Sequence, residues 1–121
     1  MADRPHKNLD AWKNSIDLIV QIYRVTKELP KEEKFGLIPQ MRRAAVSIAS
    51  NIAEGAVRNS RKEFIRFLNT AQASLSELDT QVIICKQLGY LSDDTLKLLE
   101  EQMERESRLI SGLINYLRKK V

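Results

Sequence analysis

Apolar side chains recur along this chain at alternating steps of three and four in four separate blocks, the spacing of one face of an α-helix. The first block carries two such stripes. Leu9, Trp12, Ile16, Ile19, Tyr23 and Thr26 form one, which reads as a bundle seam; Ser15, Leu18, Ile22, Val25 and Leu29 run beside it. A helix apolar on two flanks needs cover on two flanks, from a multi-helix bundle or from a neighbouring subunit. The spacing predicts a helix over about 9–29. Pro30 ends it, because proline lacks an N–H and disfavours helix at the residue before it.

The polar link PKEEKFG leads to a second helix over about 37–57, with Pro39 tolerable in its first turn. At about 100° per residue this helix has three faces. Leu37, Met41, Ile48 and Ile52 are large and apolar. Ala45, Ala49, Ala53 and Ala56 are small, with Arg42 beside them. Gln40, Arg43, Ser47, Asn51, Glu54 and Arg58 form a polar ridge. Gly55 marks a break. Ser60 and Glu63 then have capping-box spacing ahead of a third helix over about 61–88, carrying Phe64, Leu68, Ala71, Leu75, Leu78, Val82 and Cys85. Gly89 is the expected glycine past its end. Ser92 caps a fourth helix over about 93–119, with Asp93 and Asp94 at its positive end and Leu91 and Leu96 spaced as a staple. Its seam reads Leu96, Leu99, Met103, Ile110, Leu113 and Leu117, and it closes on Arg118, Lys119 and Lys120. No strand-like alternation, internal repeat or low-complexity tract interrupts this pattern. Four helices with short links predict an all-α fold: one domain, an antiparallel, up-down-up-down four-helix bundle.

Charge adds a question to that picture. The net charge of +4 is uneven: residues 1–66 hold 13 Lys/Arg against 8 Asp/Glu, and residues 67–121 hold 7 against 8. Between 42 and 66 the count is 6 against 2, from Arg42, Arg43, Arg58, Arg61, Lys62 and Arg66 against Glu54 and Glu63. Such a cluster is either a solvated face or the footprint of an anionic partner. Arg58, Arg61 and Lys62 surround the expected start of the third helix, where free N–H groups and the helix dipole favour phosphate. No aromatic is read as interleaved with these cations for base stacking, so recognition would lean on phosphate charge and shape. Ser47, Asn51 and Glu54 on the polar ridge read as a hydrogen-bonded network against a neighbouring helix or subunit, or as a binding ridge.

The residues of a catalytic site are missing from the sequence. The one histidine, His6, falls in a polar N-terminal tail that reads as unstructured. Cys85 reads as a core residue with no histidine to activate it. No Glu-x-x-His, Cys-x-x-Cys, phosphate-binding loop or dinucleotide fingerprint occurs. The expectation is a non-enzymatic protein with no cofactor and no metal. A lone cysteine, no apolar leader in the first residues and no run of about 18 apolar residues point to a cytoplasmic protein off the membrane.

The run LDAWKNSIDLIVQIYRVTKELPKEEKFGLIPQMRRAAVSIASNIAEG, with RNSRKEFIRFLNTAQASLSELDTQV and QLGYL after it, resembles the small helical proteins named for the 23S ribosomal RNA intervening sequence. The resemblance covers about Leu9 to Ile114, and its most specific part is QMRRAAVSIASNIAEG. It implies a four-helix bundle assembled as a ring-like homopentamer, related to the accessory variability proteins of retroelements, which bind nucleic acid and a reverse transcriptase. Two positions depart from the usual pattern: Ala49 where proline is common, and Ala73 where glycine is common. Both favour regular helix. The expected function is binding of structured nucleic acid, RNA before DNA, ribosomal RNA among the candidates. The alternative is a scaffold or accessory subunit for a nucleic-acid enzyme. A ring would multiply the charge of each chain, to about +20 for five copies.

Overall fold

The breakers placed by the sequence act where they stand. The computed structural model describes residues 5–119, so the N-terminal leader reading (residues 1–4) and Lys120 lie outside it. A 3-10 turn, Pro5–Asn8, precedes four helices: α1 Asp10–Lys27, α2 Leu37–Ala56, α3 Arg61–Gln87 and α4 Asp93–Lys119. There is no strand among the described residues. α1 stops short of Pro30, and a second 3-10 turn, Lys31–Glu33, fills the link. Glu33 closes that link from two sides. Its Oε1 accepts from the Leu37 backbone N–H at 3.1 Å, capping α2, and its Oε2 accepts from the Tyr90 hydroxyl at 3.0 Å.

α3 ends in a Schellman motif. Tyr90 N–H reaches Cys85 O at 2.9 Å and Gly89 N–H reaches Lys86 O at 3.0 Å. Gly89 sits at φ 76°, a conformation that Cβ disfavours. Ser60 and Ser92 cap α3 and α4, their Oγ atoms accepting from Glu63 N–H at 3.0 Å and Thr95 N–H at 3.1 Å. The capping box at Ser60 is half made, because the Glu63 carboxylate turns instead to Arg66.

One apolar core draws on all four helices, with Leu18, Ile22, Met41, Ile48, Ile52, Leu68, Leu78, Val82, Leu99 and Ile110 removed from solvent. In α1 the two stripes exchange the roles the spacing suggested. Leu18, Ile22 and Leu29 are the core stripe, with buried Ser15 donating to Trp12 O at 2.6 Å. Of the other stripe only Thr26 is buried, while Ile16 and Tyr23, with nearby Val20, are exposed. Periodicity finds both stripes and cannot rank them, because the ranking depends on which way the helix is turned by its neighbours.

Polar ties fix each helix pair. Thr26 on α1 meets Arg42 on α2; Ser47 on α2 meets Ser74 on α3. Gln72 on α3 donates to Ser107 O and Ser111 Oγ on α4 at 3.0 and 2.9 Å. Asn14 on α1 donates to Glu106 Oε1 on α4 at 2.9 Å. His6 is held rather than loose: its ring lies edge-on to Trp12 at 5.0 Å, so the tail reading is corrected by the turn that folds back onto α1.

Candidate nucleic-acid interface

The six cations singled out in the sequence fall into two groups. Arg43 and Gly55 are twelve positions apart on α2, about 18 Å at 1.5 Å per residue, and Arg58 lies beyond Gly55. Arg42 and Arg43 belong to one end. Arg42 is half-buried, and its guanidinium is committed to α1: Nε donates to Thr26 Oγ1 at 2.9 Å, Nη2 to Tyr23 O at 3.4 Å, and Cζ lies over the Tyr23 ring, 4.5 Å from its centre. Thr26 accepts this bond while its own hydroxyl donates to Ile22 O at 2.7 Å. Arg42 thus serves as a strut between helices. Arg43 is exposed at a shallow groove of ≈ 490 Å³, together with Tyr23, Ile38, Pro39, Arg42 and Val46.

Arg58, Arg61, Lys62 and Arg66 belong to the corner where α2 turns into α3, and all four are exposed. Gly55 makes that corner. A Cβ there would stand 2.8 Å from Phe67 Cβ, 2.9 Å from Phe64 Cδ1 and 3.3 Å from Phe64 O, so only glycine lets the end of α2 rest on the first turns of α3. Gly55 is therefore part of α2 and the break follows it. Phe67, against Gly55, holds two guanidinium groups, with Arg58 at 4.8 Å and Arg66 at 4.7 Å from its ring centre. This corrects the view that no aromatic accompanies the cations. Phe64 read as a seam residue of α3 and Phe67, beside it in RKEFIRF, was passed over; only the packing shows that Phe67 carries the arginines.

One carboxylate, Glu63, is paired with a cation of this corner. Glu63 takes Arg66 Nε at 2.8 Å and Nη2 at 3.4 Å. The Arg66 hydrogen bond and charge hold the Glu63 carboxyl below its ordinary range, and the charges of Arg58 and Lys62 add to this. Arg58, Arg61 and Lys62 have no carboxylate partner among the described residues. The corner therefore carries an uncompensated positive charge, in the arrangement expected of a surface for anions.

The polar ridge separates similarly. Ser47 and Ser74 hydroxyls lie 2.8 Å apart, and Asn51 Nδ2 donates to Ser47 O at 2.8 Å and to Ser47 Oγ at 3.1 Å. These three residues tie α2 to α3. Glu54 is exposed and takes no part in the tie. Elsewhere, the structure reveals a residue the sequence reading passed over. Glu106 is fully buried, with Oε1 on Asn14 and Oε2 without a partner. Burial pushes its carboxyl up to about 7, against the opposing pulls of the Asn14 hydrogen bond and Arg105. Its signal was present: in the alternating three-four seam of α4, position 106 fills the step between Met103 and Ile110. Cys85 is a core residue, its thiol pushed up first by burial and then by Glu33. Among the described residues no three His, Cys, Asp or Glu side chains are placed to share a metal ion, and no helix is long and apolar enough to cross a membrane.

The family model for the 23S rRNA-intervening sequence protein matches residues 7–112. The chain belongs to this family. A solved structure with which this member aligns is a Bacteroides thetaiotaomicron protein of unknown function from the S23 ribosomal protein family. The two are 25% identical with a TM-score of 0.80, over 86% of this chain and 97% of the other. No curated protein matches.

Proposed function

We propose that this family member is a non-enzymatic, cytoplasmic homo-oligomer that binds structured nucleic acid, RNA in preference to DNA, through the basic corner between α2 and α3. The observation that carries this reading is the exposed group Arg58, Arg61, Lys62 and Arg66 at the α2–α3 corner, where only Arg66 is paired with a carboxylate, Glu63. The affinity is electrostatic. Lys and Arg displace counterions from the phosphate backbone, so binding falls steeply with salt. The name of the family points in the same direction.

The bundle is up-down-up-down in this reading, supported by the tie of Thr26, at the end of α1, to Arg42, in the early part of α2, and by that of Gln72, in the first half of α3, to Ser111, in the second half of α4. The outward stripe of Ile16, Val20 and Tyr23 on α1, with Val46 on α2, supports a second copy as its cover, in a ring where each face meets a different face. Single, unpaired Cys85 suits a reducing compartment.

Fluorescence anisotropy of the intact oligomer with structured RNA and with duplex DNA, across a salt series, tests the reading. Charge reversal at Arg61 and Lys62 should weaken binding at least tenfold and flatten the salt slope by about two. Unchanged binding by an intact variant oligomer would overturn it. A second reading, a scaffold for a nucleic-acid enzyme, draws on Phe35, 89% exposed beside Lys34. A protein retained on this chain after nuclease digestion, and lost on Phe35→Ser, would favour that reading.

A further inference from the structure

We propose that the Arg58–Phe67–Arg66 stack is a seat for an unpaired base, so that the nucleic acid bound here is a loop, bulge or single strand and not a continuous duplex. This rests on the nucleic-acid reading above and names the part of the polymer that is read.

The geometry separates the roles of the four cations. Phe67 packs its Cβ against the Gly55 corner. Arg58 and Arg66 both lie over that ring, at 4.8 and 4.7 Å. In this proposal both guanidinium groups lie flat on the ring, which turns the opposite face outward and keeps the N–H groups in the plane of the fork. The fork of Arg66 is taken by both Glu63 oxygens, so this residue offers chiefly a flat face. Arg58 has no carboxylate in its fork among the described residues and offers a face and donors together. Arg61 and Lys62, exposed and without an ion pair among the described residues, offer charge alone.

Flat cationic faces beside free point charges match a nucleotide chain in particular. An acidic peptide or free phosphate would use the charges and leave the faces idle. A duplex would use the charges too, but its bases are stacked on one another and present no face. An unpaired base presents one, and stacks on aromatic or guanidinium planes while neighbouring phosphates meet Lys and Arg.

The test separates planes from charges. Anisotropy titrations would compare an RNA hairpin bearing an unpaired purine loop with a blunt RNA duplex of equal length. Arg58→Lys keeps the charge and removes the plane. It should cost roughly tenfold in hairpin affinity and leave duplex affinity and both salt slopes unchanged. Phe67→Leu should act in the same direction, with circular dichroism confirming the fold. A 2-aminopurine in the loop should lose fluorescence on binding the parent protein and regain part of it with Arg58→Lys. Hairpin affinity unchanged by Arg58→Lys, or a parent protein that prefers the duplex, would sink the stacking seat while leaving the electrostatic reading in place. No binding of either RNA at low salt would overturn both.

Discussion

A carboxylate in an apolar seam is a destabilised charge, and Glu106 is fully buried. Its folded pKa is about 7 against an ordinary 4.5. Below pH 4.5 the carboxyl is protonated in folded and unfolded chains alike and costs nothing. Between 4.5 and 7 the unfolded chain releases a proton that the folded chain keeps, so stability falls as pH rises. Above 7 the loss is complete, on the order of 3 kcal/mol for a shift of this size. Urea melts from pH 5 to 8 should show this decline. Glu106→Gln keeps an acceptor for Asn14 and should flatten the decline, standing above the parent protein at pH 8 and beside it at pH 4. Parallel curves for the two proteins would remove Glu106 as the cause. Gln102 Oε1, also buried and unpaired, lies one turn away on α4 and belongs to the same under-satisfied seam.

Two glycines in helices give opposite expectations, and the difference lies in what surrounds them. Replacing glycine by alanine inside a helix is worth about 1 kcal/mol in propensity. Gly112 on α4 has nothing within 4 Å of a new Cβ, so Gly112→Ala should raise stability by about that amount. At Gly55 the new Cβ meets the Cβ of Phe67 and the backbone of Phe64, which yield only if α3 moves. Overpacking costs about 1–3 kcal/mol, so Gly55→Ala should destabilise on balance and also weaken nucleic-acid binding by shifting the corner. Urea midpoints for the two variants check the signs. At this scale the sequence was informative because helix limits are local. Pro30, Ser60, Gly89 and Ser92 each act on the backbone they belong to, and no expected limit lies more than two residues from the observed one. Helix faces were harder, since the turn of α1 depends on its neighbours: Ile16 and Tyr23 look outward and Ser15 inward.

For the whole molecule, a cluster in sequence proved to be two places in space. Arg42 and Arg58 seemed alike as charges, but one is bound to α1 at Thr26 and the other lies on Phe67. No spacing rule could show that, because the partner of Arg42 stands sixteen residues earlier, on another helix. Arg61 and Lys62 were easier to read, since they sit beside the Ser60 cap that starts α3. The division predicts a division of effects. Arg42→Gln should lower stability with little effect on nucleic-acid affinity, whereas charge reversal at Arg61 and Lys62 should do the reverse. The outward α1 stripe makes a separate prediction. Ile16→Glu with Tyr23→Glu should dissociate the proposed oligomer in sedimentation while helicity by circular dichroism persists. An unchanged sedimentation coefficient would place the subunit contact elsewhere.

Cys85 gives the protein a clock of its own. Its thiol is fully buried, 3.6 Å from Met41 Sδ, and burial raises its pKa. A thiol in that position reacts only when the core around it opens. As the chain has one cysteine, the rate of its modification by a soluble disulfide reagent counts those openings directly, with no label added and no residue changed.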